Sequence, residues 1–142
     1  MPAMTEEEYL SFLTEGTKTG KLATVRDDGR PHVVPIWFVL DGDNLIFTTG
    51  EPSVKAKNMI RDSRVSISVD DQTPPYSFVT VEGTVSLSEN PDEMLYWATR
   101  IGARYMGEEQ AEAFGKRNAV KGELLVTITP SKVIAYKDVT AW

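Results

Sequence analysis

Short apolar runs separated by Asp-Gly pairs dominate the first half of the chain, the pattern of strands joined by tight hairpins. Gly20 to Val25 reads as a strand, Asp27-Asp28-Gly29-Arg30 as a turn, and Pro31 to Val39 as the returning strand. Asp41-Gly42-Asp43 makes a second turn before the strand Asn44 to Thr49. From Val33 to Leu40 the residues are apolar without alternation. That predicts a strand buried on both faces, one of them covered by a helix, a partner subunit or a ligand. Pro35 removes a ladder donor there and predicts a bulge or an edge. A flat ligand can lie against the backbone at Val34-Pro35-Ile36-Trp37; a core strand with an incidental edge proline reads equally well.

Gly50-Glu51-Pro52-Ser53 ends the third strand and opens a helix carrying Lys55, Lys57, Asn58 and Arg61. Arg64 to Asp70 alternates, with Val65, Ile67 and Val69 on the inner face. Tyr76 to Leu87 is a longer strand, and Gly83 within it predicts a bulge or a close backbone approach. Asn90-Pro91-Asp92-Glu93 starts a helix by cap, first-turn proline and acidic third position, and its apolar stripe is Met94, Trp97, Ala98, Ile101 and Tyr105. A second helix covers Glu108 to Asn118. A last strand runs from Gly122 past a kink at Pro130 to Tyr136. At the N-terminus, Thr5 and Glu8 form a capping box for a short amphipathic helix ending near Thr14. About six strands with helices at the periphery favour a closed or partly closed barrel over a doubly wound sheet.

Composition narrows the chemistry. A chain of 142 residues suffices for one domain with one core. It has no cysteine and one histidine, so thiol catalysis is excluded and a histidine-cluster metal site within one subunit is disfavoured. The acidic start lacks a signal-peptide pattern and no apolar run spans a bilayer, so a cytoplasmic protein without membrane association is expected. A net charge of -6 disfavours nucleic acid as a partner. Against that balance, Lys55, Lys57, Arg61 and Arg64 cluster around a single acid, Asp62, which suits a small anionic ligand. A solvated helix face is the other reading of the same charges. The terminal Trp142 suits docking or an interface, fraying being the alternative.

No catalytic constellation is visible. His32 follows a turn and reads as a surface residue, and no paired carboxylates stand out. Gly16 to Lys21 resembles a phosphate loop only superficially, because its spacing is one residue short and a strand follows it. Absent acid-base groups point to chemistry brought by a cofactor. Its anchor is Thr48-Thr49-Gly50 with the helix start at Ser53, where hydroxyls, amides and the helix dipole favour a phosphate. Lys57 and Arg61 share a helix face, and Lys55 joins them only if it lies in an irregular first turn.

These residues resemble the pyridoxamine-phosphate-oxidase-like flavin and deazaflavin oxidoreductases. The resemblance is carried by Gly20 to Val25, Gly29, Pro31, Val33, Pro35-Ile36-Trp37-Phe38, Leu45 to Thr49, Lys55-Ala56-Lys57-Asn58, Arg64 to Ile67 and Val81 to Val85, and it covers about Leu13 to Tyr136. It implies a mainly β fold with peripheral helices, a six-stranded antiparallel split β-barrel. It also implies a homodimer with two cofactor sites at the subunit interface. The chain looks most like the small reductases that use the deazaflavin coenzyme F420. FMN is the alternative, weakened because Val33 to Phe38 holds no basic residue. Carried over, Val34, Pro35, Ile36 and Trp37 would line the ring. Thr48, Thr49, Lys55, Lys57, Asn58 and Arg61 would hold the ribityl and phosphate groups. Tyr76 and Phe78 would close the pocket, from this subunit or the other. The implied activity is hydride transfer to an electron-poor small molecule such as an activated alkene, an imine, a quinone or a tetrapyrrole. A non-catalytic carrier of a flavin-like ligand or tetrapyrrole needs the same pocket.

Overall fold

The computed structural model describes residues 1–141, so Trp142 and its expected docking role lie outside the described residues. Among the described residues are four helices and seven strands. In chain order they are α1 (Glu6–Thr14), β1 (Gly20–Val25), β2 (Pro31–Ile36), β3 (Val39–Asp41), β4 (Asn44–Gly50), α2 (Val54–Arg61), β5 (Arg64–Asp71), β6 (Ser77–Ser88), α3 (Pro91–Met106), α4 (Glu108–Asn118) and β7 (Glu123–Tyr136).

The strands form one antiparallel sheet in the order β2-β1-β5-β6-β7-β4-β3. The expectation of a six-stranded barrel is corrected on both counts: the sheet has seven strands and is open, in a mixed α/β fold. The extra strand comes from a break at Trp37-Phe38. Before it, β2 pairs with β1, Ile36 opposite Gly20; after it, β3 pairs with β4, Val39 opposite Ile46. So β2 and β3 are the two edges of the sheet, yet the chain from Ile36 to Val39 spans about 11 Å at most. The edges therefore approach each other, and still no ladder closes them. The polar groups of Phe38 go elsewhere: its N–H donates to the Tyr105 hydroxyl at 3.2 Å, and its carbonyl accepts from Arg104 Nη1 at 2.7 Å. Side chains of α3 satisfy the backbone that a neighbouring strand would otherwise need.

The run 33–40 also does not bury both faces within the chain. Ile36 and Phe38 are buried, whereas Val33 is 67% and Trp37 40% exposed. The inward residues join a core of Leu22, Leu45, Phe47, Ile67, Val79, Val81, Val126 and Ile128. A smaller cluster of Ile46, Met94 and Leu125 lies where α3 covers β4 and β7.

Local signals in the sequence map onto local structure. The Thr5 hydroxyl accepts from the Glu8 N–H, and the Glu8 carboxylate accepts from the Thr5 N–H. The Asn90 side chain accepts from the amides of Asp92 and Glu93 ahead of α3. The second hairpin pairs Asp41 with Asn44, which leaves Gly42-Asp43 as its loop, with φ +62° at Gly42. Glycine at the first central position marks the II′ turn, so only one residue there needs positive φ. At Gly83 the β6–β7 register shifts, and a Cβ would stand 2.4 Å from the Thr129 carbonyl oxygen.

Candidate functional site

At one end of the sheet a cavity of about 470 Å³ opens between the end of β2, the end of β4, the start of α2 and the helices α3 and α4. Its apolar wall is Pro35, Ile36, Trp37, Ile101 and Phe114; its polar wall is Thr19, Thr48, Thr49, Gly50, Lys55, Asn118 and Glu123. The Trp37 indole is held flat by Tyr105, whose ring stacks on it at 5.0 Å with 2° between the planes, and Phe114 leans against it at 5.8 Å. The Tyr105 hydroxyl in turn donates to the Lys18 carbonyl at 2.8 Å. Burial raises the Tyr105 pKa, so the phenol remains a neutral donor.

The polar wall follows from strand parity and a helix start. Gly50 pairs with Glu123, and Thr48 with Leu125. Directly opposed residues share a face, so Thr48 and Glu123 lie on the side covered by α3 and α4, whereas Thr49 is buried on the other. The hydroxyls of Thr49 and Ser53 are 3.0 Å apart, and Ser53 caps α2 by accepting from the Ala56 N–H at 3.2 Å. Lys55 stands in the first turn that this cap creates. Burial pushes its ammonium below the ordinary lysine range, and Glu123 opposes the shift. Burial pushes the Glu123 carboxyl up, and Lys55 opposes that. In this half-buried place each charge thus offsets part of the burial cost of the other.

The structure therefore brings together Pro35, Ile36, Trp37, Thr48, Thr49 and Lys55 from the sequence-derived set, and it puts the rest elsewhere. Val34 faces inward against the main core. Asn58 is buried and donates to the Thr24 hydroxyl at 3.0 Å, so its amide ties α2 to β1. Arg61 donates to the Val25 carbonyl and lies 3.9 Å from Asp27. Lys57 is exposed and does not line the cavity. Phe78 packs on Tyr136 at 5.8 Å, and Tyr76 sits exposed in the preceding loop with φ +62°. The basic cluster of the sequence thus disperses over the helix, Arg64 pairing with Asp62 at 2.8 Å. His32 is half-buried rather than on the surface, on the strand position opposite Thr24, and its Nδ1 is buried without a partner among the described residues.

Gly50, part of the expected phosphate anchor, lines the cavity as well, whereas Thr19, Ile101, Phe114, Asn118 and Glu123 were not foreseen. A signal existed for two of them: Phe114 and Asn118 are four apart and share a face of α4. Nothing local marked Glu123, because its place depends on pairing with a strand more than seventy residues earlier, about the kind of contact a sequence pattern does not encode.

Residues 5–136 match the family described as pyridoxamine 5'-phosphate oxidase. A conserved hypothetical protein from Mycobacterium tuberculosis superposes with a TM-score of 0.84 at 26% identity, over 96% of this chain and 87% of its own. A protein described as an F420 reductase superposes with a TM-score of 0.70 at 29% identity, over 94% of this chain and 98% of its own. HutZ, a heme storage protein from Vibrio cholerae, has a TM-score of 0.72 at 20% identity, over 93% of this chain and 96% of its own, a likeness of fold alone.

Proposed function

The chain belongs to the pyridoxamine 5'-phosphate oxidase family, and from that premise we propose that it is a reductase using the deazaflavin coenzyme F420, held in the cavity beside Trp37. The fold is that of a flavin- and deazaflavin-binding oxidoreductase superfamily. One observation carries the reading: a single cavity joins the apolar strip Pro35-Ile36-Trp37 to Thr48, Thr49 and Lys55. Its volume falls within the range of small-molecule sites, roughly 300–1,000 Å³. The 29% identity to a protein described as an F420 reductase supports the deazaflavin over FMN.

The donor set fits such a cofactor. Pro35, Ile36 and Trp37 offer an apolar surface to a flat ring. The Thr48 hydroxyl and the Lys55 ammonium suit a phosphate and its polyol chain, beside the positive end of α2, while the Thr49 hydroxyl, bonded to Ser53, holds the helix start in place behind them. Hydride transfer to an electron-poor small molecule is the chemistry such a group supplies when bound. The protein's own part is positioning and exclusion of water. Tyr105 and Phe114 hold the Trp37 plane, and Ile101 closes the wall behind it. Tyr76 and Phe78 line no part of this cavity within one chain, so their proposed role needs a second copy, in a homodimer.

Fluorescence titration of the purified protein with coenzyme F420 and with FMN tests the reading. We expect F420 to bind, and Lys55→Ala to weaken it roughly tenfold or more, the loss of one charge-assisted contact. Unchanged affinity in Lys55→Ala removes the phosphate site. A preference for FMN moves the protein to the FMN-dependent enzymes. Steady-state turnover with an artificial acceptor then separates catalyst from carrier: a carrier reoxidises once and stops.

A further inference from the structure

We propose that Glu123 sets the charge class of phosphate this cavity accepts, admitting a singly charged phosphodiester in preference to a doubly charged phosphomonoester. The inference rests on the cofactor reading above and goes beyond it by naming the discriminating residue.

Among the residues lining the cavity, Lys55 and Glu123 are the charged ones. They share the space without closing into an ion pair: among the described residues, the pairs within 4.0 Å involve other partners. The ammonium therefore keeps donors free for a ligand. Glu123 opens β7 opposite Gly50. Its Oε2 lies 3.2 Å from the point a Cβ on Gly50 would occupy, so the carboxylate rests against the end of the strand that carries Thr48 and Thr49. An anion that reaches Lys55 and the Thr48 hydroxyl comes under the field of this carboxylate as well.

Charge counting follows. The lining is neutral in sum, with one cation to meet an anion and one carboxylate to repel it. A first negative charge on the ligand's phosphate group is balanced by Lys55. A second meets no cation and is repelled by Glu123, in partly buried surroundings where like charges are screened less than in water. The neighbouring cations do not help: Arg61 is committed to the Val25 carbonyl and Arg64 to Asp62, and Lys57 lies outside the cavity. Coenzyme F420 carries its phosphate as a diester, with one charge. FMN ends in a monoester whose second proton leaves near pH 6, about as for other phosphomonoesters, so near neutrality it carries close to two.

The test measures dissociation constants for coenzyme F420, FMN and riboflavin at pH 7.5 on the wild type, Glu123→Gln and Lys55→Ala. Removing the carboxylate charge should tighten FMN about tenfold, the equivalent of about 1.4 kcal/mol, and F420 only about threefold, because a single charge feels half the repulsion. Unchanged FMN affinity, or an equal gain for F420, overturns the inference. A second comparison needs no variant. In the wild type, riboflavin should bind at least as tightly as FMN, because the terminal phosphate gains little beside Glu123. FMN binding about tenfold tighter than riboflavin overturns the proposal even if Glu123→Gln does not fold. The two readings fail separately. If F420 binds and Lys55→Ala weakens it while Glu123→Gln leaves FMN unmoved, only the role of Glu123 falls. If F420 does not bind the wild type, the cofactor reading falls and this inference with it.

Discussion

Arg104 shows how much of this fold hangs on single side chains. Its guanidinium donates to three backbone carbonyls, Leu13 at 2.8 Å, Gly16 at 3.0 Å and Phe38 at 2.7 Å, and so joins α3 to the end of α1 and to the β2–β3 corner. Arg104→Met leaves those carbonyls without this donor, and we expect a loss of about 2–4 kcal/mol by urea denaturation. Arg104→Lys should recover only part, because a point charge cannot serve three diverging acceptors. A second residue-scale prediction concerns Glu8. The Lys137 ammonium foremost, and then the Thr5 N–H, hold its carboxyl at about 2, below the ordinary 4.5. The folded state favours the charged form, so this stabilisation is full above about pH 4.5 and is lost as pH falls towards 2. Glu8→Gln should flatten the acid limb of the stability curve between those values; an unchanged limb contradicts the ion pair with Lys137. The two halves of this site differed in legibility. Thr5 and Glu8 are three apart, and the capping box shows in the sequence. Lys137 comes from the far end of the chain and shows only in the structure.

At the scale of elements, the hairpins and helix starts were legible because each is decided by a few consecutive residues: Asp-Gly at a turn, Asn90-Pro91 at a cap. The stripe of α3 was legible too, with Met94, Ala98 and Ile101 buried. The packing of α4 against the neighbouring face of α3 was not. The two helices meet so closely that a Cβ on Gly115 would stand 2.1 Å from Thr99 Oγ1 and 3.2 Å from the Thr99 Cα, and one on Gly102 would stand 2.7 Å from the Phe114 Cβ. Glycine is needed at these positions for approach, not for backbone freedom. The contact matters to the site because α4 carries Phe114 and Asn118 into the cavity. Gly115→Ala should therefore push α4 away from α3, cost about 1–3 kcal/mol as overpacking does, and weaken F420 binding in the same preparation. Loss of stability with unaltered affinity would show that α4 does not shape the cofactor site.

For the whole molecule, the step from strands to closure was the one the sequence did not carry. Alternation tells which residues face inward; it does not tell whether the last edge finds a partner. Here the edges meet at Trp37-Phe38, and Arg104 and Tyr105 take the backbone groups instead. The uninterrupted apolar run through that corner misled about burial for a related reason. Its outward residues have little cover among the described residues: Val33 is 67% exposed, Trp37 40%, and Val25 on the adjoining strand 44%. Exposed apolar strips of this kind on an edge strand favour association, both by burying area and by removing a free edge from water. On that ground the proposed homodimer would cover β2. Val33→Asp places a charge in the middle of the strip, where a partner would have to desolvate it. Sedimentation should find the wild type dimeric at micromolar concentration and Val33→Asp monomeric with its fold intact. The outcome bears on the cavity too, since Trp37 belongs to both the strip and the site: a monomeric variant that keeps full F420 affinity would make the cofactor site complete in one chain. A wild type that stays monomeric would leave the strip, rather than the site, in need of another partner.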